Sequence, residues 1–151
     1  MYAGLTSAYD NMGIGTLSAQ RDHILFADFL EEASILLNKP ALHATAPAFR
    51  NCAQAWGELG LALLPDAVPL FKETRELMQR QRQVFIEKGL LALPECQQIK
   101  TRLGEIRAAV SQSFPLSEAQ ATALLQNITA DVLQLGVLEE VAFEALRASA
   151  N

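Results

Sequence analysis

The chain has 151 residues, half of them hydrophobic, with 12 basic and 17 acidic side chains and a net charge of −5. That length makes one domain able to bury roughly 70% of its unfolded surface, and the apolar content is too high for a disordered chain. The acidic balance argues against non-specific binding to nucleic acid or anionic lipid, and the longest apolar stretch, Gly60 to Leu64, is far short of the ~20 residues that span a bilayer.

Ala and Leu dominate the apolar half, and such residues favour helix because they lose little rotamer freedom there. Residues 1–17 carry Gly4, Gly13 and Gly15 with Asp10-Asn11 and read as an irregular N-terminal segment; residues 18–151 read as a single bundle domain. Ser18 is placed to cap a first helix, whose stripe is Phe26, Phe29, Leu30, Ala33 and Leu37, ending near Asn38-Lys39-Pro40. Thr45 is the expected cap of a second, with Pro47 in its first turn and Phe49, Cys52, Ala53, Trp56, Leu59 and Leu63 on one face.

Asp66 is the expected cap of a third helix, with Leu70, Phe71, Thr74, Leu77, Met78, Gln81 and Phe85 as its stripe and Gly89 as its stop. Pro94 opens a fourth with Cys96, Ile99, Leu103, Ile106 and Val110 inside. Ser117-Glu118-Ala119-Gln120 is a capping box for a fifth, carrying Ala121, Leu124, Leu125, Ile128, Val132 and Leu135. Gly136 is expected to close it before a short sixth with Leu138, Val141, Ala142, Ala145 and Leu146. No segment alternates with the period of a strand. The predicted fold is therefore all-α, an antiparallel helical bundle of five to six helices, with a long central hairpin over roughly 66–88 and 94–113.

No constellation of catalytic type emerges, and the chain leans away from being an enzyme. His23 and His43 are the only histidines, and neither follows a Glu at the spacing of a di-iron bundle. Asp22, His23, Asp28, Glu31 and Glu32 read as the solvent side of the first helix, so no metal and no cofactor is expected. Cys52 and Cys96 fall on apolar stripes without a CxxC, as inert thiols in a reducing compartment do. Met1 to Leu17 lacks the basic start and apolar core of a signal peptide, so a cytoplasmic location is expected.

Residues 71–107 hold eight basic and five acidic groups. The basic ones (Lys72, Arg75, Arg80, Arg82, Lys88, Lys100, Arg102 and Arg107) are interrupted by Glu73, Glu76 and Glu87 and read as solvated helix faces. Gly13-Ile14-Gly15-Thr16-Leu17-Ser18 is a glycine turn feeding a helix. Such a junction presents free amides to a small anion, with Arg21 in reach. Phe26, Phe29, Trp56 and Phe85 are bulky enough to line an interhelical pocket instead of filling it.

The run from Gly13-Ile14-Gly15 through Phe29-Leu30-Glu31-Glu32-Ala33, then Phe49, Ala53 and Trp56, resembles the helical C-terminal domain of butirosin-biosynthesis acyltransferase-like proteins over about residues 9–110. In those proteins a glycine-rich turn precedes a helix with a Phe-Leu-x-Glu-Ala core, and a second helix carries an alanine and a tryptophan. The resemblance implies an accessory domain of an amide-forming acyl-transfer system whose thiol chemistry sits in a separate papain-like domain. No Cys/His pair here matches that chemistry, so no catalytic residue carries over; Gly13, Gly15 and Arg21 are site-adjacent at most.

Two functions follow as expectations. The first is a non-catalytic helical domain of protein association, partnered by a second copy or by a separately encoded catalytic subunit, and by neither nucleic acid nor membrane. The second is a small-ligand binding protein with an apolar interhelical pocket, to which Gly13, Gly15, Arg21, Phe26, Trp56 and Phe85 would contribute.

Overall fold

The computed structural model describes residues 1–12 and 19–150. Among them the fold is all-α: α1 (Tyr2–Asn11), α2 (Ala19–Leu36), α3 (Pro40–Leu63), α4 (Pro69–Lys88), a short 3-10 turn (Gly89–Ala92), α5 (Leu93–Gln112) and α6 (Glu118–Ala150). No helix among the described residues is long and apolar enough to cross a membrane.

Several boundaries follow from local chemistry visible in the sequence. Gly89 ends α4 at φ +54°, a conformation open to glycine at no steric cost. The Ser117 amide donates to Gln120 Oε1 at 2.9 Å and the Gln120 amide to Ser117 Oγ at 3.3 Å, which is the capping box closed in both directions. Asn38 turns the chain from α2 into α3 at φ 51°, one of the few positions where a non-glycine residue tolerates that region.

Other boundaries differ from the expectation. Residues 2–11 are helical, because Tyr2, Leu5 and Tyr9 recur at helical spacing and bury against the rest of the fold. The glycine turn at 13–15 and the Ser18 cap lie outside the described residues. α3 starts at Pro40 instead of Thr45, so Pro47 sits inside the helix. An internal proline costs about 3 kcal/mol. Burial of Ala46 and Phe49 on either side of it offsets that cost. Asp66 caps nothing; Val68 is the N-cap of α4. Gly136 closes nothing either, and α6 runs through it as one 33-residue helix.

Two apolar clusters organise the bundle. The first joins Tyr2, Leu5 and Tyr9 of α1 to Leu63 and Leu64, Phe71 of α4, and Ile106 and Val110 of α5. The second joins Ala27, Leu30 and Ala33 of α2 to Leu42, Ala46, Phe49 and Cys52 of α3 and Ala142 of α6. α3 and α6 reach both: α6 sends Leu124 and Ile128 to the first cluster and Leu138 and Leu146 to the second. The predicted hairpin is present as α4 and α5, which run antiparallel with Arg80 on Glu95 and Arg102 on Glu73. It flanks the fold, however, because α3 lies between α2 and α6 at the centre of the second cluster.

Stripe assignments in α2 and α6 need correction, that of Val141 (54% exposed) among them. At about 100° per residue, Phe29 falls roughly 100° from Leu30 at the stripe's centre, and its ring is exposed. Leu37 has the right phase but lies just beyond the end of α2, so the turn carries it into solvent. Leu125 and Val132 are exposed because α6 runs partly past its neighbours.

Candidate functional site

The residues singled out in the sequence divide between two places. Phe26 lines a cleft over α3, and Trp56 stands apart from its lining, its indole on the same Glu139 that faces His23. Phe85 stands at the far end of the α4–α5 hairpin, and Arg21 is exposed on the first turn of α2. Gly13 and Gly15 lie outside the described residues.

The cleft has a volume of about 250 Å³ and is lined by Asp22, His23, Phe26, Phe49 and Phe143. Phe49, buried in the second cluster, makes the floor. Phe26 meets it edge-on at 4.7 Å and Phe143 at 5.4 Å, the arrangement that aromatic quadrupoles favour. Phe29 stacks outside Phe26 at 5.9 Å.

His23 is not on the solvent side, which corrects the reading of its helix face. It shares spacing with Ala27, Leu30 and Ser34, the buried face of α2. Its Nδ1 lies 2.6 Å from the Ala19 carbonyl, which only accepts, so that nitrogen donates there. Nε2 lies 3.4 Å from Glu139 Oε1, which also accepts the Trp56 indole N–H at 2.9 Å. Glu139 thus joins α2, α3 and α6 by one carboxylate. The sequence reading missed it, although a half-buried histidine and tryptophan both require a polar partner.

This arrangement is poorly suited to catalysis. Burial pushes the Cys52 thiol up, and the neighbouring Glu139 carboxylate pushes it further; a nucleophilic cysteine needs the opposite. His23 is tied at Nδ1 and faces a carboxylate at Nε2. Of the acidic residues of α2, Asp28 and Glu31 are engaged elsewhere, both 2.9 Å from Arg50, while Asp22 lines the cleft. Among the described residues no group of three His, Cys, Asp or Glu side chains is placed to hold a metal ion.

A thiol-labelling experiment checks this assignment. Cys52 is fully buried, whereas Cys96 is half-exposed with Sγ 3.9 Å from the Gln81 carbonyl. One thiol per chain is expected to react with a small aromatic disulfide in the native state at neutral pH, and both in denaturant. Two rapidly reacting native thiols would contradict the burial of Cys52.

The second place is the end of the hairpin. Phe85 has the phase of the α4 stripe yet is 54% exposed. The reason is the length of its neighbour. α1 runs parallel to α4, with the Tyr2 hydroxyl on Thr74 Oγ1 at 2.6 Å and Arg82 Nη2 donating to Asp10 Oδ1 at 2.6 Å. α1 therefore ends beside Arg82, and Phe85 lies nearly a turn beyond its cover. Phe85, Ile86, Leu93 and Cys96 line one open cavity there, and Leu90 and Leu91 beside it are 77% and 84% exposed.

Several charges on the same hairpin pair with one another. Arg102 grips Glu73 through Nε at 2.6 Å and Nη2 at 3.0 Å, and Lys88 and Arg80 share Glu95. Hydrogen bonds from these partners hold the Glu73 and Glu95 carboxyls below the usual carboxylate range. No protein-family model matches the chain, and neither does any curated protein or solved structure.

Proposed function

We propose that the chain is a non-catalytic helical association module, and that the apolar end of its α4–α5 hairpin pairs with a second copy of the chain. One observation carries this reading: a core-type stripe continues past the end of the helix that covers it, leaving Phe85, Ile86, Leu90, Leu91 and Leu93 more than half exposed. Contiguous apolar patches of a few hundred Å² mark interaction sites on soluble proteins. A two-fold dimer lets the same patch face itself, so one sequence feature serves both sides. The resemblance over about residues 9–110 is in keeping with the non-catalytic part, since it implies an accessory domain of an acyl-transfer system whose thiol chemistry sits in a separate domain.

Magnitude sets the expected strength. A stable interface buries roughly 800 Å² per partner, more than five side chains at one hairpin end provide. The dimer is therefore expected to be weak and concentration-dependent. Sedimentation velocity should show the mean mass rising from the monomer toward the dimer between low and high micromolar protein. Leu90→Glu combined with Leu91→Glu should hold the chain monomeric with helical content and melting temperature unchanged, because neither side chain is in the core. A wild-type chain that stays monomeric throughout would sink self-pairing and transfer the patch to the separately encoded subunit.

A further inference from the structure

We propose that the cleft over α3 binds a small primary arylalkylamine, with its ring between Phe26 and Phe143 and its ammonium on the Asp22 carboxylate. The site shares no residue with the hairpin end and does not depend on self-pairing.

The walls are aromatic and held in place. Phe26 and Phe143 stand at 71° and 86° to Phe49, so the three rings make a floor and two walls. Phe29 stacks against Phe26 and backs that wall. Phe143 is the telling residue. It is 46% exposed and belongs to neither apolar cluster, and Glu139, Glu140, Glu144 and Arg147 all lie within four positions of it. A phenyl ring among charged neighbours gains little from solvent; the contact it makes is with Phe49, where it closes one side of the cleft.

Volume and charge then select the ligand. An apolar cavity of about 150 Å³ takes up one benzene ring, so the 250 Å³ here leaves room for a short carbon chain as well. Neither Lys nor Arg is among the described residues of the lining. His23 is occupied, with Nδ1 on the Ala19 carbonyl and Nε2 facing Glu139. Asp22 is the remaining polar group. Asp28 and Glu31 share Arg50, whereas Asp22 enters no ion pair among the described residues. A carboxylate only accepts, and a primary ammonium only donates. Glu139 behind His23 adds negative potential, and aromatic faces attract a cation too. The cleft therefore takes a positive charge and rejects a negative one. Asp22 is exposed, so the preference is modest in size, several-fold instead of thousand-fold.

The test is an NMR titration of the intact chain with phenethylamine, followed on the aromatic resonances. Phenethyl alcohol replaces the charge with a neutral group, hydrocinnamate reverses it, and butylamine keeps it without the ring. Phenethylamine should saturate at millimolar concentration and shift the rings of Phe26 and Phe143, and the other three should bind at least fivefold more weakly. Asp22→Asn, at an exposed position, should bring the amine and the alcohol within twofold of each other. Phe143→Leu, which retains an apolar group against Phe49, should stay folded by circular dichroism and weaken the amine at least fivefold. No saturation by phenethylamine at tens of millimolar overturns the site, as does equal or tighter binding of the alcohol or the acid. Wild-type preference for the amine in Asp22→Asn, or wild-type affinity in Phe143→Leu, overturns it as well.

Discussion

Truncating Phe49 to alanine is expected to destabilise the protein by about 3–5 kcal/mol. The side chain is 1% exposed and stands where three helices meet, with the rings of Phe26, Phe143 and His23 around it at 4.7, 5.4 and 6.1 Å. Two losses add. Burial of a phenylalanine is worth about 2–3 kcal/mol, and each edge-on aromatic pair contributes about 0.5–1.5 kcal/mol more. Relaxation offers little relief, because Ala27 of α2 and Ala142 of α6 face it with side chains too short to fill the space. In a chain of this size the melting temperature should fall by about 10 °C. Phe49→Leu, which keeps most of the volume, should cost about 1–2 kcal/mol. Urea denaturation measures both. A loss below about 1 kcal/mol for the alanine variant would mean that Phe26 and Phe143 slide into the space, so that the cleft floor is not rigid.

Arg75→Ala is expected to cost about 2–3 kcal/mol, although the position lies on the basic stretch that reads as surface. Arg75 is buried, its Nη1 donates to the Leu64 carbonyl at 2.6 Å, and Nη2 holds Asp66. Leu64 is itself fully buried at the end of α3, so removing the guanidinium leaves its carbonyl without a partner and opens space beside Phe71. Asp66 is mostly exposed and is rehydrated when the pair is broken, so the penalty of an abandoned buried charge does not apply.

The pH dependence follows from the same geometry. The hydrogen bond from Arg75 holds the Asp66 carboxyl below its ordinary value, so its stabilising contribution is present above the ordinary carboxylate range and lost as pH falls through the lowered one. Asp66→Asn should therefore lower stability slightly at neutral pH and converge with wild type in acid, where the contribution is already lost, whereas Arg75→Ala lowers stability at both pH values. Equal losses from the two variants at neutral pH would assign the effect to the ion pair instead of the Leu64 carbonyl.

The positions read well from sequence share a property: their chemistry closes within a few residues. The Ser117–Gln120 box and the Gly89 stop depend on groups at most four positions apart, and both form as expected. The stripes of α3 and α5 also hold, since Phe49, Cys52 and Ala53, and Ile99, Ile106 and Val110, keep the period over several turns. α1 was hidden because Gly4 and Asp10-Asn11 carry a loop-like composition, while its buried residues number only three. Gly136 misled for a related reason: nothing lies within 4 Å of the place a Cβ would occupy, so neither a turn nor close contact explains it, and helix on both sides carries through.

The candidate sites needed more than period. His23 shares the phase of Ala27 and Leu30, so its inward face was legible, yet the last 34 residues hold five carboxylates from which Glu139 could not be chosen. Phe85 has a core phase and an exposed ring, whereas Tyr9, in the segment that reads as a loop, is fully enclosed. Periodicity states which side of a helix is apolar, because each residue turns the backbone by a constant angle. What stands opposite that side depends on where the neighbouring helix stops, and α1 stops beside Arg82. Helix content, the Ser117–Gln120 box and the Gly89 stop were thus determined by the chain's own chemistry, while the remaining helix boundaries, the aromatic cleft and the uncovered hairpin end were decided by helix lengths meeting in space.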